Sequence, residues 1–178
     1  MRSFFINLLS DLKVQSGNSF FNKIKVLVFS HSFHLVFFVR FSSEIRKVKF
    51  LGSFLSTFLD YLIRVIFSSD ISSRAVFGKG VNIMHGHDIV IGSHVVIGEN
   101  VKIFNGVTLG NKNTNTIIVE QPLIGNNVTI CTGAKVLGSV RIGDNSVIGA
   151  NSVVLKDVPK NEVWAGIPAK KIKDIDFV

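Results

Sequence analysis

Beyond residue 70 an aliphatic side chain recurs at every sixth position. The series runs Ile91, Ile97, Ile103 and Leu109, then Ile124, Ile130, Val136, Ile142, Ile148 and Val154. Four residues after most of these stands a small or β-branched side chain: Val95, Val101, Val107, Val128, Ala134, Val140, Ser146 and Ser152. Gly follows the aliphatic residue at 92, 98, 110, 125, 143 and 149, and an earlier run, Ile71, Phe77 and Ile83, keeps the spacing two residues out of phase with Ile91. A period of six sustained this long predicts a parallel β-helix, each hexad a short flat strand and a turn. Gly or Asn relaxes the tight backbone of such turns.

The first seventy residues follow a different period. In Leu51–Phe67 apolar residues fall at 51, 54, 55, 58, 59, 62, 63, 66 and 67, a helical stripe expected to face the core. Ser53, Ser56, Thr57, Asp60 and Arg64 make up the opposite face. Phe20, Phe21, Ile24, Leu27 and Val28 begin a similar stripe that becomes apolar all round at 35–39. Two or more packed helices are expected, giving an α-helical region at 1–69 and a β-helix with a C-terminal tail at 70–178.

Two breaks of phase interrupt the repeat. Ile91 follows Ile83 by eight residues, and the surplus holds His85 and His87. Ile124 follows Leu109 by fifteen where twelve would keep phase, so a loop at 111–121 is expected to bulge out. Interruptions of a repeat are favoured places for function, because the regular positions are committed to packing.

Composition narrows the setting. Thirteen of the sixteen Phe lie in 1–70 and thirteen of the fifteen Gly after it. No apolar run reaches the ~18–20 residues of a membrane span, the N-terminus lacks a secretory pattern, and a lone Cys131 fits a reducing compartment. A cytoplasmic protein is expected. The net charge of +8 permits a polyanion partner, yet no basic run with interleaved aromatics points to nucleic acid. Residues 1–70 carry nine Lys/Arg against four Asp/Glu. Basic residues among Phe-rich helices suit peripheral contact with an anionic membrane, or simply a solvated helix face.

The segments "DISSRAVFGKGVNIMHGHDIVIG", "NGVTLG", "IGNNVTICTGAKVLG", "IGANSVVLKDVP" and "WAGIPAKKI" resemble the serine acetyltransferase branch of the hexapeptide-repeat acyltransferases. Within it they look most like the short enzymes that O-acetylate bacterial capsule or exopolysaccharide. The resemblance covers about residues 70–173, and implies a left-handed coil, a homotrimer and acetyl-CoA bound between subunits. It also places a catalytic pair on Asp70 and His85, fifteen residues apart. The chemistry fits: acyl transfer to an alcohol needs a base, which a near-neutral imidazole supplies. A carboxylate on its far nitrogen sets the tautomer.

The resemblance further places Thr132 and Ala150 along the pantetheine arm of acetyl-CoA, with Lys156, Lys170, Lys171 and Lys173 for its phosphates. An ordinary basic tail is the alternative for the last three. Trp164 is read as a hydrophobe capping the coil, with adenine stacking as its alternative, and Cys131 is given no role.

The sequence also departs from the serine enzymes. They carry Asp immediately before the catalytic His, where this chain has Met84, and Arg-His where it has Glu120-Gln121. Both charged contacts to a zwitterion are missing, so a carbohydrate hydroxyl is the expected acceptor, with His87, Glu120 and Gln121 as its contacts. Serine O-acetylation is the alternative. A zinc enzyme of the γ-carbonic-anhydrase kind would need three histidines from separated coils, whereas His85 and His87 share one interruption and His94 lies in the next hexad, so no metal is expected. A non-catalytic trimeric scaffold is the remaining reading.

Overall fold

The computed structural model describes residues 2–113 and 120–176. Three parallel sheets wind into a β-helix. Face A stacks Asp70–Ile71, Val90–Ile91, Thr108–Gly110, Lys135–Leu137 and Val153–Val154. Face B stacks Val76–Phe77, Val96–Ile97, Leu123–Ile124 and Arg141–Ile142. Face C stacks Asn82–Met84, Lys102–Phe104, Thr129–Ile130, Val147–Ile148 and Glu162–Gly166, and Ala169–Asp174 closes it as an antiparallel edge.

The six-residue period becomes three inward columns. Ile71, Ile91, Leu109, Val136 and Val154 are in register on face A. Phe77, Ile97, Ile124 and Ile142 follow on face B, with Val158 bridged to Ile142. Ile83, Ile103, Ile130, Ile148 and Trp164 complete face C. Each strand offers the core about one aliphatic side chain, and it is the stacking of coils that buries a continuous core. Trp164 packs on that core, as its capping reading requires.

The corner between faces B and C is held by an asparagine ladder. Asn100, Asn127, Asn145 and Asn161 take left-handed φ values of 56, 55, 61 and 62°, which Asn tolerates better than most residues. Asn100 Nδ2 donates to Asn127 Oδ1 (3.2 Å), Asn127 Nδ2 to Asn145 Oδ1 (3.0 Å), and Asn145 Nδ2 to Asn161 Oδ1 (2.8 Å).

Both phase breaks fall at the other two corners. The surplus at 85–88 lies between faces C and A. The loop after Leu109 lies between faces A and B, because Ile124 occupies the very next face. One face step takes six residues, so this insertion is nine residues long, not the three that keeping phase over twelve implied. Residues 114–119 of it are outside the described residues.

Among the described residues four helices precede the coil: α1 (Arg2–Ser16), α2 (Phe20–Phe29), α3 (His31–Ile45) and α4 (Gly52–Phe67). The apolar stretch around residues 26–39 is not one helix. Ser30 closes α2 through its backbone N–H and caps α3, its Oγ accepting from Phe33 N at 3.2 Å, and the two axes bend by 73°. No single helix among the described residues is long and apolar enough to cross a membrane.

The expected orientation of α4 also needs correction. Its buried residues are Gly52, Ser56, Leu59, Ile63 and Phe67, while Leu51, Phe54, Leu55, Phe58 and Ile66 are exposed. Leu59, Ile63 and Phe67 of the expected stripe do face the core, but hydrogen bonds draw Ser56 and Asp60 of the polar side inward beside them. Ser42 Oγ donates to Ser56 O (3.1 Å) and to Asp60 Oδ1 (2.6 Å), and Asp60 Oδ2 accepts from Ser73 Oγ at 2.8 Å.

A buried ion pair ties the helices to the coil. Arg40 of α3 and Asp11 of α1 pair through Nε and Oδ2, and through Nη2 and Oδ1 at 2.9 Å. The same guanidinium donates to the carbonyls of Gly78 (2.6 Å) and Phe77 (3.3 Å). Burial pushes the Asp11 carboxyl up from its ordinary value, against the pull of Arg40.

Candidate active site

The C–A corner gathers Asp70, His85, His87, Thr132 and Ala150. The chain turns there through His85 (φ 56°) and Asp88 (φ 55°), and His87 N donates to His85 O at 2.7 Å. Gly86 fits because α3 comes so close: a Cβ there would sit 2.8 Å from Leu35 Cδ2. Gly86 N donates to Ser32 Oγ at 3.2 Å, fastening the turn to the same helix. His85 is exposed and lines a cleft of about 300 Å³ with Gln15, Ser30, Ser32 and Met84.

The preceding coil holds this turn from its other side. Asp88 N donates to Ser68 O (2.9 Å), Ile89 N to Ser69 Oγ (3.2 Å), and Asp70 N to Ile89 O (2.8 Å). Asp70 and His85 are thus fixed on one corner by consecutive hydrogen bonds. No hydrogen bond joins their side chains. Asp70 Oδ1 instead lies 2.7 Å from Arg64 Nη2, and this contact raises the Arg64 guanidinium above the ordinary arginine value. Arg64 was read from sequence only as part of a polar helix face, and nothing periodic announces a pair between a helix and a strand.

Below the turn the corner continues as a column. Gly106 N donates to His87 O (3.2 Å), Gly133 N to Asn105 O (2.9 Å), and Asn151 N to Thr132 O (2.8 Å). His87, Asn105, Thr132 and Ala150 therefore stand on successive coils of one edge. Thr132 Oγ1 and Asn105 Oδ1 are 3.2 Å apart. Asn105 escaped the sequence reading, although it precedes Gly106 as Thr132 precedes Gly133. Cys131 adjoins this edge, and burial pushes its thiol up. At the far end Lys170 pairs across the last hairpin with Ala165, whose neighbour Trp164 accepts from Gly149 N at 2.7 Å.

Other predicted residues lie elsewhere. Glu120 and Gln121 are at the A–B corner: Asn111 Oδ1 accepts from Glu120 N (2.8 Å) and from Gln121 Nε2 (3.4 Å). Gln121 lies against Gly92, where a Cβ would meet its Oε1 at 2.7 Å, and that Oε1 is buried without a hydrogen-bond partner. Lys156 is exposed at the same corner. Lys173 is exposed on the edge strand, and Lys171 is taken by Asp174 (2.7 Å) and Glu162 (2.9 Å). His94 (φ 69°) is also at the A–B corner, away from His85 and His87. Among the described residues no three His, Cys, Asp or Glu side chains cluster as a metal site would require.

Comparison with known proteins gives the arrangement a context. The bacterial transferase hexapeptide family (six repeats) matches residues 122–156. A serine acetyltransferase of Helicobacter pylori is 38% identical over 151 residues, which are 85% of this chain and 86% of the relative. One of Buchnera aphidicola is 37% identical over 149 residues, 84% of this chain, but the match spans only 56% of that longer relative. Among solved structures, serine acetyltransferase from Brucella abortus in complex with coenzyme A superposes with a TM-score of 0.90 at 29% identity, covering 99% of this chain and 70% of the other.

Proposed function

The chain belongs to the serine acetyltransferase family, and from that premise we propose that it transfers acetyl from acetyl-CoA to an alcohol, with His85 as general base. The observation that carries this is the C–A edge, which runs from an exposed imidazole at His85 past His87, Asn105 and Thr132 to Ala150. An extended thioester laid along that edge has its reactive end at the base and its nucleotide end at the hairpin bearing Lys170 and Lys173.

The step needs no nucleophilic side chain. The acceptor hydroxyl attacks the thioester carbonyl while His85 takes its proton, and the C–O bond forms. The tetrahedral intermediate then collapses, the C–S bond breaks, and the imidazolium returns the proton to the departing CoA sulfur. Asp70, on the same corner, is the group to which we assign support of the imidazolium.

Assembly supplies the remaining parts. Glu120, Gln121 and Lys156 sit on a corner other than that of His85, so they serve the same site only when contributed by a neighbouring copy. A trimer is supported by an outward apolar row in register on face B: Val76, Val96 and Leu123 are 56, 38 and 39% exposed. Such a row favours burial against another subunit.

Serine is the acceptor that the relatives' names favour, ahead of the carbohydrate put first by the sequence. A carbohydrate hydroxyl remains as a second reading on one specific ground: Met84, Glu120 and Gln121 supply no charge pair for an ammonium and a carboxylate together. Release of CoA thiol by purified protein with L-serine, compared with a panel of sugars and surface glycans, decides between them. Turnover with serine supports the first reading, turnover with glycan alone supports the second, and hydrolysis without transfer to any alcohol overturns both.

A further inference from the structure

Helix α2, FFNKIKVLVF, has no buried residue. At 3.6 residues per turn, Leu27, Phe20, Ile24, Val28 and Phe21 fall in one stripe about 120° wide. Their exposures are 48, 70, 44, 55 and 82%. Lys23 borders the stripe on one side and Lys25 on the other, each about 40° beyond the last apolar residue. Val26 turns away from the stripe and is half-buried, and the helix contains no acidic residue.

We propose that α2 is an interfacial helix that docks the protein peripherally on an anionic lipid bilayer. Three features choose lipid as the occupant. The stripe is apolar without interruption, as burial at a headgroup–acyl boundary requires. Lysines on both borders can lay their stems along the apolar surface and carry their ammonium groups to the headgroups. Ten residues make a helix about 15 Å long, half of a ~30 Å hydrocarbon core, so it lies in the plane of the membrane and does not cross it. A second copy of α2 fits less well, because pairing the stripes would set lysine borders against lysine borders.

The test is sedimentation of the full-length protein with vesicles of phosphatidylcholine alone and with about a third phosphatidylglycerol. Binding is expected to the anionic vesicles only, and raising the salt should reverse it. Lys23→Gln with Lys25→Gln should weaken the partition roughly thirtyfold, the worth of two basic residues near an anionic surface. Phe20→Ser with Phe21→Ser should abolish it without lowering thiol release on a soluble acceptor. Equal binding to neutral vesicles, or no binding to either, overturns the proposal. So does light scattering that shows larger particles for the native chain than for the Phe20/Phe21 variant in the absence of lipid, because a second copy would then cover the stripe.

Discussion

Arg64 of α4 holds Asp70 of the first strand, Nη2 to Oδ1, at 2.7 Å, while Asp70 and His85 share one corner. The side chains of the ion pair are 59% and 51% exposed, so it adds little to stability. Asp70 is the carboxylate proposed to orient His85, so the pair matters to the chemistry of that corner more than to stability.

Arg64→Ala should therefore leave the melting temperature nearly unchanged and alter kcat severalfold, because it frees the Asp70 carboxylate from the guanidinium. Arg64→Lys should restore the native rate. An unmoved kcat would mean that Arg64 has no hold on the chemistry of this corner.

His85→Ala should lower turnover by roughly 10²–10⁴-fold, the usual worth of a positioned base, while CoA binding persists. Asp70→Asn should also lower turnover, because an amide can hold the wrong tautomer. Addition of EDTA should change neither rate. Near-full activity of His85→Ala, or loss with EDTA that zinc reverses, would move the chemistry away from this base.

Asp11→Ala should cost about 3–5 kcal/mol in denaturant unfolding, since it leaves the Arg40 charge buried and unpaired. Asp11→Ala combined with Arg40→Met should recover part of that loss. A cost below 1 kcal/mol for the single change would mean that the carbonyls of Phe77 and Gly78 satisfy Arg40 unaided.

The single Trp164 offers a local pH probe. Its Nε1 donates to Glu162 Oε2 at 2.6 Å, and this bond, with Lys171 beside it, holds the Glu162 carboxyl below its ordinary value. A depressed carboxyl keeps its contacts above the ordinary glutamate range and loses them only as pH falls through the lower, folded-state value. Indole emission should stay flat from neutrality down through pH ~4.3, the ordinary glutamate value, and change below it. Glu162→Gln should remove the transition. A midpoint at or above the ordinary value contradicts the assignment.

The coil was legible because one inward aliphatic residue per strand leaves a period that survives in the sequence. Its phase misled once, since Leu109 and Ile124 occupy adjacent faces and only a register, not a count modulo six, reveals a nine-residue insertion. The helices were less legible. Part of the outward face of α4 reads as core by period alone, and Ser42, Ser56, Asp60 and Ser73 rotate the helix from that reading through hydrogen bonds between elements that no helical spacing encodes. The stop at Ser30 was visible in principle, as a capping serine inside an apolar run. For the candidate site, Asp70 and His85 stood out only through the family resemblance, and the two fall on one corner. The partner that occupies Asp70 comes from a different element and leaves no spacing to read.

The asparagine ladder constrains how such a molecule can diverge. Each rung needs the amide above and below it in coil-to-coil register, so a residue added between faces B and C would unseat a whole chain of side chains at once. Among the described residues the other two corners carry no such chain, and both lengthenings of the coil, at 85–88 and after Leu109, are found there. Evolutionary tinkering is thereby channelled to the edges that bear His85 and Gln121: the rigid seam leaves new substrates to be sampled by loop growth while the spring behind them keeps its pitch.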